Sequence, residues 1–541
     1  MTRRNRCFVR WIAGAICALA MAWMAAPALA QTGYEYQDLV GYTDLANRLG
    51  LATPNGSGVD VTQTEAATNP PTNTAYLPNA SGIGGTLIDV AGGGITSAHA
   101  TGVADNFYRG AYATATGVST IFAYESSNYI LDGFLKAFSS TAPGTSHGTG
   151  TALGRIHNHS WTTSDTPTEF DPVLAVDVLR RMDWAIDQAT VVDSVGTPLQ
   201  SGFTAVVGVA NNLVPIPKLL GNSYNAIAVG VSDGGSSNTG STIDGLGRSK
   251  PDLVAPGRWQ PFASAASTSR ATARVSAAAT LLMETAIDTD QPAAQRPETI
   301  KALLMAGATK TDLPSWSHSE TQPLDLRYGA GVLNIDHSHR ILEAGQQSAS
   351  DLAAVSPTGW DLAEIEGGQS LRYFFEVTDE RPADGFSAVL TWHRRINLIE
   401  GEDDDPALLE ESLANLDLRL FSADGTLSLG GLLAQSISTI DNVEHIYLPE
   451  LPSGWYALEV TALEDDVLPL GETWQYALAW DARAVPEPAS IWLAAAALTA
   501  VVLYVVWYRA RQMRSLRPVR QVSANQVSAN QVSAHAGRRQ L

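Results

Sequence analysis

Ser264-Ala265-Ala266-Ser267-Thr268-Ser269-Arg270-Ala271-Thr272-Ala273-Arg274-Val275-Ser276-Ala277-Ala278-Ala279 decides how this chain is read. A loop of small residues runs into an alanine-rich helix whose first turn carries a serine hydroxyl. Small residues let a strand and a second backbone come close. A helix N-terminus offers unpaired N–H groups and the positive end of a dipole, which suit an oxyanion forming beside that serine. Alone, a Thr-Ser pair before such a helix is an ordinary N-cap. The run upstream, Gly247-Arg248-Ser249-Lys250-Pro251-Asp252-Leu253-Val254-Ala255-Pro256-Gly257, gives the serine its context.

Together the two stretches resemble the subtilisin-like serine proteases, in which K-P-D-(I/V)-(V/L)-A-P-G precedes G-T-S-M-A-T-P-H-V-A-G around the nucleophile. The resemblance implies that Ser269 is the nucleophile. It implies His99 as the base, since Ser97-Ala98-His99-Ala100-Thr101-Gly102-Val103-Ala104 resembles H-G-T-H-V-A-G. His147-Gly148-Thr149-Gly150 matches more letters, but order decides against it. His99 follows a Gly-rich approach and precedes a strand-like run at 118–124, whereas His147 sits in a Ser/Thr/Gly loop. Just after that loop, Ile156-His157-Asn158-His159-Ser160-Trp161 resembles I-N-M-S-L-G, the strand that pairs with substrate backbone. Ser160 and Trp161 are thereby expected at the substrate, with Trp161 reshaping the neighbouring specificity pocket.

The acid departs from the family pattern. Gly58-Val59-Asp60-Val61-Thr62-Gln63-Thr64-Glu65-Ala66 aligns with G-V-x-V-A-V-I-D-T, so Glu65 stands where Asp is expected. Either carboxylate can accept the imidazole N–H, fix its tautomer and stabilise the imidazolium. Asp60, the rival, falls five residues early. The oxyanion donor, an Asn after a strand as in A-A-G-N of the family, is expected in Val206-Val207-Gly208-Val209-Ala210-Asn211-Asn212, with Asn211 preferred and Asn212 the alternate. Other departures are Ser267 for Gly, Arg270 for Met, Ala273 for Pro, Gly102 for the second His of H-G-T-H, and Arg274 for the His near the nucleophile. None removes a triad atom. Only residues 31–64 precede Glu65, short for a folded inhibitory propeptide.

Two functions are therefore weighed. One is an exported serine endopeptidase working through an acyl-enzyme with a Ser/His/Glu triad. The other is a catalytically inactive subtilase-fold protein that binds or builds at the cell surface. Taken singly, His99 reads as a helix cap, Ser269 as an N-cap and Glu65 as a solvated edge residue. Their joint order favours the enzyme.

Residues 31–348 read as α/β, a subtilisin-like doubly wound parallel sheet. Runs such as 205–210 and 226–230 are continuously apolar, as in buried parallel strands. The stretch 173–192 is helical in period, with Ala175, Val178, Leu179, Met182 and Ile186 on one face and Trp184 opposite, where it is expected to pack under a loop or another layer. Tyr328-Gly329-Ala330-Gly331-Val332-Leu333-Asn334 resembles the Y-G-x-G-x-(I/V)-(N/D) close of the family domain. From 349 to 484 the period changes to two, with runs at 387–392, 416–421 and 455–460 and turn signals at 423–425 and 452–454. That argues an antiparallel β-sandwich, and Leu416-Asp417-Leu418, Asp441-Asn442-Val443-Glu444 and Gly454-Trp455-Tyr456 in that order resemble the jelly-roll that follows some subtilisin-like domains. An acidic run at 400–405 suits either a solvated loop or Ca²⁺. No cofactor is required by this chemistry.

The ends carry addresses. Residues 1–30 form a signal peptide, with Arg3, Arg4, Arg6 and Arg10, an apolar run, and Ala28-Leu29-Ala30 before Gln31. Both cysteines, Cys7 and Cys17, fall inside it, so the exported protein is expected to hold no disulfide and no thiol nucleophile. Residues 485–511 open with Val-Pro-Glu-Pro-Ala-Ser and continue as an apolar run at 491–508, which as a helix spans roughly 27 Å, enough to cross a bilayer core. Arginines beyond it place the C-terminus in the cytoplasm. This segment resembles the PEP-CTERM sorting signal, which implies an exosortase-type sorting enzyme as partner and a transmembrane anchor. Residues 512–541 are a low-complexity basic tail repeating Gln-Val-Ser-Ala. The net charge is −21, and the basic residues gathered at the two ends leave the middle more acidic still. Nucleic acid is a poor partner for such a surface; polypeptide substrates are expected.

Overall fold

The continuously apolar runs form strands buried on both faces. β5 (Thr204–Gly208), β6 (Ile227–Val231) and β7 (Leu253–Ala255) are buried at every residue. They join β1 (Val61–Glu65), β2 (Thr86–Asp89), β3 (Thr120–Glu125) and β4 (Ile156–His159) in one parallel sheet of order β7-β6-β5-β4-β1-β3-β2. The computed structural model describes residues 35–484, except 70–71, 138–148, 164–171, 213–214, 237–242, 246, 259–264, 311–312, 314, 379–382 and 400–407. The signal peptide at 1–30, His147, the acidic run at 400–405, the sorting segment at 485–511 and the tail at 512–541 therefore lie outside the described residues. Among the described residues, no helix is long and apolar enough to cross a membrane, and no cluster of three His, Cys, Asp or Glu is placed to hold a metal ion.

Side-chain alternation divides the sheet between two cores. Val206 and Ile156 face α1 (Ala98–Phe107), α3 (Thr268–Asp288), α4 (Pro297–Ala306) and α5 (Ile335–Glu343), whereas Ala205 and Val207 face α2 (Pro172–Gln188). The expected apolar face of α2, Ala175, Val178, Leu179, Met182 and Ile186, is fully buried, and Trp184 packs against the edge of the same core. The helix stops at Gln188, four residues short of the expected end. Val191 and Val192 instead enter a strand paired antiparallel with 198–201. β-branched residues satisfy either period, and the hairpin claims them.

The C-terminal runs form two sheets. The five-stranded one comprises β8 (Ser350–Ala354), β10 (Ser370–Val377), β12 (Leu416–Ala423), β13 (Leu429–Ser436) and β15 (Gly454–Ala462). Their order is β8-β10-β15-β12-β13, antiparallel except for β8 with β10. The second is β9 (Thr358–Glu366), β16 (Thr473–Ala484), β11 (Ala383–Trp392) and β14 (Val443–Leu448), in that order. Their inner faces share a core of Phe375, Trp392, Leu418, Leu458, Tyr476 and Trp480. The outer face of the second sheet, at Val389, Ala477 and Ala479, packs into the same core as α4. Just beyond β11, Arg394 enters the α/β part. Its guanidinium bonds Asp183 through Nε at 3.0 Å and Asp244 at 2.7 Å, and it lies 4.1 Å from the Tyr224 ring centre. Removing one partner of such a buried ion pair costs about 3–5 kcal/mol, because the other charge is left buried and uncompensated.

Candidate active site

Three elements deliver three side chains to one point. Glu65 is the last residue of β1 and is buried. Ser97 caps α1, its Oγ accepting from the Ala100 N–H, and so leaves His99 in the first turn with its ring toward the cleft. Ser269 stands in the first turn of α3. That turn lies close on β5, where a Cβ at Gly208 would meet the Thr272 and Thr268 hydroxyls at 3.2 and 3.3 Å. A side chain at 208 would push the serine off its place.

The Glu65 Oε2 lies 2.7 Å from His99 Nδ1, and His99 Nε2 lies 3.1 Å from Ser269 Oγ. An ionised carboxylate only accepts, so Nδ1 carries the proton and Nε2 presents a lone pair to the serine. The Ser269 hydroxyl has one proton and two acceptors, since the Ser160 carbonyl is also 3.1 Å away. The Glu65 hydrogen bond holds the His99 imidazole above the ordinary histidine range, while burial and the Arg270 cation pull it down. A base working in its neutral form then gains activity as pH rises through a value above that of free histidine.

The cleft, about 250 Å³, is lined by Ala66, His99, Ser160, Trp161, Asn211 and Ser269 among others. Ser160 Oγ donates to the Ser269 carbonyl at 2.9 Å, which ties the strand end to the nucleophile turn. Trp161 is buried at the cleft wall, edge-on to His159. The two histidines of β4 are not bases here. Burial pushes His157 down to about 3 and His159 well below its usual range, so both stay neutral in the core. Asn211 follows Ala210, whose φ of 140° turns the chain out of β5. Its Oδ1 accepts from the Thr268 N–H at 2.8 Å and the Thr268 hydroxyl at 3.0 Å. Two donors on Oδ1 leave Nδ2 as the other end of the amide. Asn212, the alternate, is not among the residues that line the cleft. The Ser269 N–H belongs to the first helical turn, where such groups lack an intrahelical acceptor.

Arg274, standing for the family histidine, is a structural tie. It donates to the carbonyls of Pro256 and Arg258 and to Asn106 Oδ1, and its guanidinium lies 4.2 Å from the Tyr36 ring centre. Arg270 turns toward the loop carbonyls of Gly257 and Ala265. One neighbour of the acid escaped the sequence reading. Gln63 donates from Nε2 to Glu65 Oε1 at 2.8 Å and to the Ala100 carbonyl at 3.0 Å, while its Oε1 accepts from the Tyr108 hydroxyl. Its signal was position alone, two residues before the acid on a strand and hence on the same face.

Residues 116–331 match the family model described as the subtilase family, peptidase S8. The matched stretch runs from before β3 through the helix that carries Ser269. No curated protein matches the chain. Among solved structures, the prenylagaramide maturation protease PagA is 18% identical, covering 56% of this chain and 98% of its own, with a TM-score of 0.34. The serine protease of Aeromonas sobria, solved with its chaperone, is 15% identical over 79% of this chain and 89% of its own, with a TM-score of 0.32. A cold-adapted subtilisin-like serine proteinase is 17% identical over 52% and 89%, with a TM-score of 0.31. Superpositions this loose bear on no residue, and the site rests on its distances.

Proposed function

We propose that the chain is a serine endopeptidase acting on polypeptides through an acyl-enzyme. Ser269 Oγ attacks the scissile carbonyl, and His99 Nε2 takes its proton. Glu65 keeps the imidazole in the working tautomer and stabilises its cation. The Ser269 N–H and Asn211 Nδ2 hold the oxyanion. His99 then returns the proton to the leaving amine, and water completes the cycle. One observation carries this reading: an acid, an imidazole and a serine from three separate elements stand in one hydrogen-bonded line, 2.7 and 3.1 Å apart, at the mouth of a cleft. A helix cap and a solvated edge residue have no reason to meet that way.

A fluorophosphonate tests it without knowledge of the substrate, because only an activated serine reacts. Ser269→Ala is expected to abolish labelling. Ser267→Ala is expected to keep most of it, since the Ser267 side chain makes no capping bond to the helix. Full labelling of Ser269→Ala protein would move the nucleophile elsewhere. An unlabelled wild type would return the chain to the reading of an inactive subtilase-fold binding protein.

The signal-like residues 1–30 and the Pro486-Glu487-Pro488 segment before an apolar run and arginines support export, with anchoring at the membrane and sorting by an exosortase-type enzyme. Mass spectrometry of the outer fraction is expected to find a C-terminus near 488. Recovery of the chain intact to Leu541 there would count against processing.

A further inference from the structure

We propose that Gln63, anchored by Tyr108, is a positioning residue for the Glu65–His99 pair: it pins one carboxylate oxygen so that the other stays on the imidazole. The inference rests on the triad reading above and concerns how a glutamate is made to serve in it.

The chemistry of the neighbours fixes the amide. On the Nε2 side lie Glu65 Oε1 at 2.8 Å and the Ala100 carbonyl at 3.0 Å, and both accept only. On the Oε1 side lies the Tyr108 hydroxyl, which must then donate. A flipped amide would face two acceptors with an acceptor and lose both bonds. All three side chains are buried, so water supplies no substitute.

The bonds also join two elements of the site. Ala100 follows His99 in the first turn of α1, and Tyr108 is the C-cap of the same helix. Gln63 therefore ties the strand that bears the acid to both ends of the helix that bears the base. The need comes from the longer acid. Glutamate has one more rotatable bond than aspartate, and an unpinned carboxylate could swing away from Nδ1. A misplacement of ~1 Å can cost about 10²-fold in rate.

Other charges reach this pair. Arg270, on α3, opposes protonation of His99, and Asp105 and Arg109 act on Tyr108 at the far end of α1. They are left in place by the two test variants. Gln63→Met keeps volume and removes the donor; Tyr108→Phe removes one oxygen and leaves the amide Oε1 without the donor that anchors it.

Gln63→Met is expected to lower kcat by about 10- to 100-fold with KM unchanged. The hydrogen bond that His99 Nδ1 donates to Glu65 is the largest influence raising the His99 pKa. Loosening it should therefore move the acid limb of kcat/KM, and the His99 titration followed by NMR, to lower pH. Tyr108→Phe should move both in the same direction by less, and it carries the test should Gln63→Met fail to fold. A lower melting temperature with unmoved His99 titration would overturn the proposal in favour of plain packing. A shift to higher pH would also overturn it, because the amide would then only damp the carboxylate charge. The NMR titration needs no turnover. A wild type that neither cleaves nor labels would defeat the peptidase reading while the Gln63 bond was still judged.

Discussion

Replacing His99 with alanine is expected to cut kcat by about 10⁶, the scale on which triad members fail when removed. The imidazole is the base at hydrogen-bond distance from Ser269 Oγ, and the chain has no spare at hand among the described residues. His157 and His159 are buried neutral against Tyr129 and Phe203 on the core side of β4. What survives should be the residual effect of the oxyanion donors and of binding, a rate still well above that of water. His147→Ala is expected to leave turnover unchanged, although its His-Gly-Thr spelling looks more like the family motif. The measurement is kcat on a peptide substrate, with circular dichroism to confirm the fold. Equal losses at the two positions would mean that the base has been misplaced.

The contrast between those histidines shows what a single sequence makes legible. Order along the chain singled out His99, because it precedes a strand-like run as the base does in the resembled family. Letter identity favoured the other. Ser269 was singled out only by resemblance to the family's nucleophile stretch, because a Thr-Ser pair before an alanine-rich helix is by itself an ordinary N-cap, and Asn211 by resemblance to the Asn that follows a strand in A-A-G-N. The parallel sheet was legible from runs apolar at every position, and the sandwich from a change of period to two. Long-range polar pairing was not. Arg394 meets Asp183 and Asp244 across 211 and 150 residues, and nothing local in any of the three announces it. Gln63 was lost for a related reason. A glutamine in a strand reads as a solvent-facing residue until the partners that satisfy it are known.

Glu65→Gln is expected to cost about 10⁴ in kcat while preserving the fold, the scale seen when a triad acid becomes an amide. The surroundings say which way the new amide would lie. Gln63 Nε2 still needs an acceptor at the place of Glu65 Oε1, so the carbonyl oxygen of the new side chain turns there and its NH₂ turns to His99. The imidazole must then accept at Nδ1 and carry its proton on Nε2, facing Ser269 with a donor where a lone pair is required. Glu65→Asp fails differently. β1 keeps regular parallel register with β3 through Glu65 and Glu125, so the backbone does not advance to meet a shorter acid. Aspartate would fall short by roughly one methylene, about 1.5 Å, losing both His99 and Gln63, and a loss of about 10²-fold or more is expected. The double variant Gln63→Met with Glu65→Gln separates tautomer from charge. With the competing donor gone, the amide is free to turn its oxygen to His99 and restore the working tautomer, though not the negative charge. It should therefore be faster than Glu65→Gln alone, a coupling of opposite sign to two independent losses. Wild-type turnover in Glu65→Gln would remove Glu65 from the triad, and a double variant slower than the single one would remove Gln63 from control of the amide.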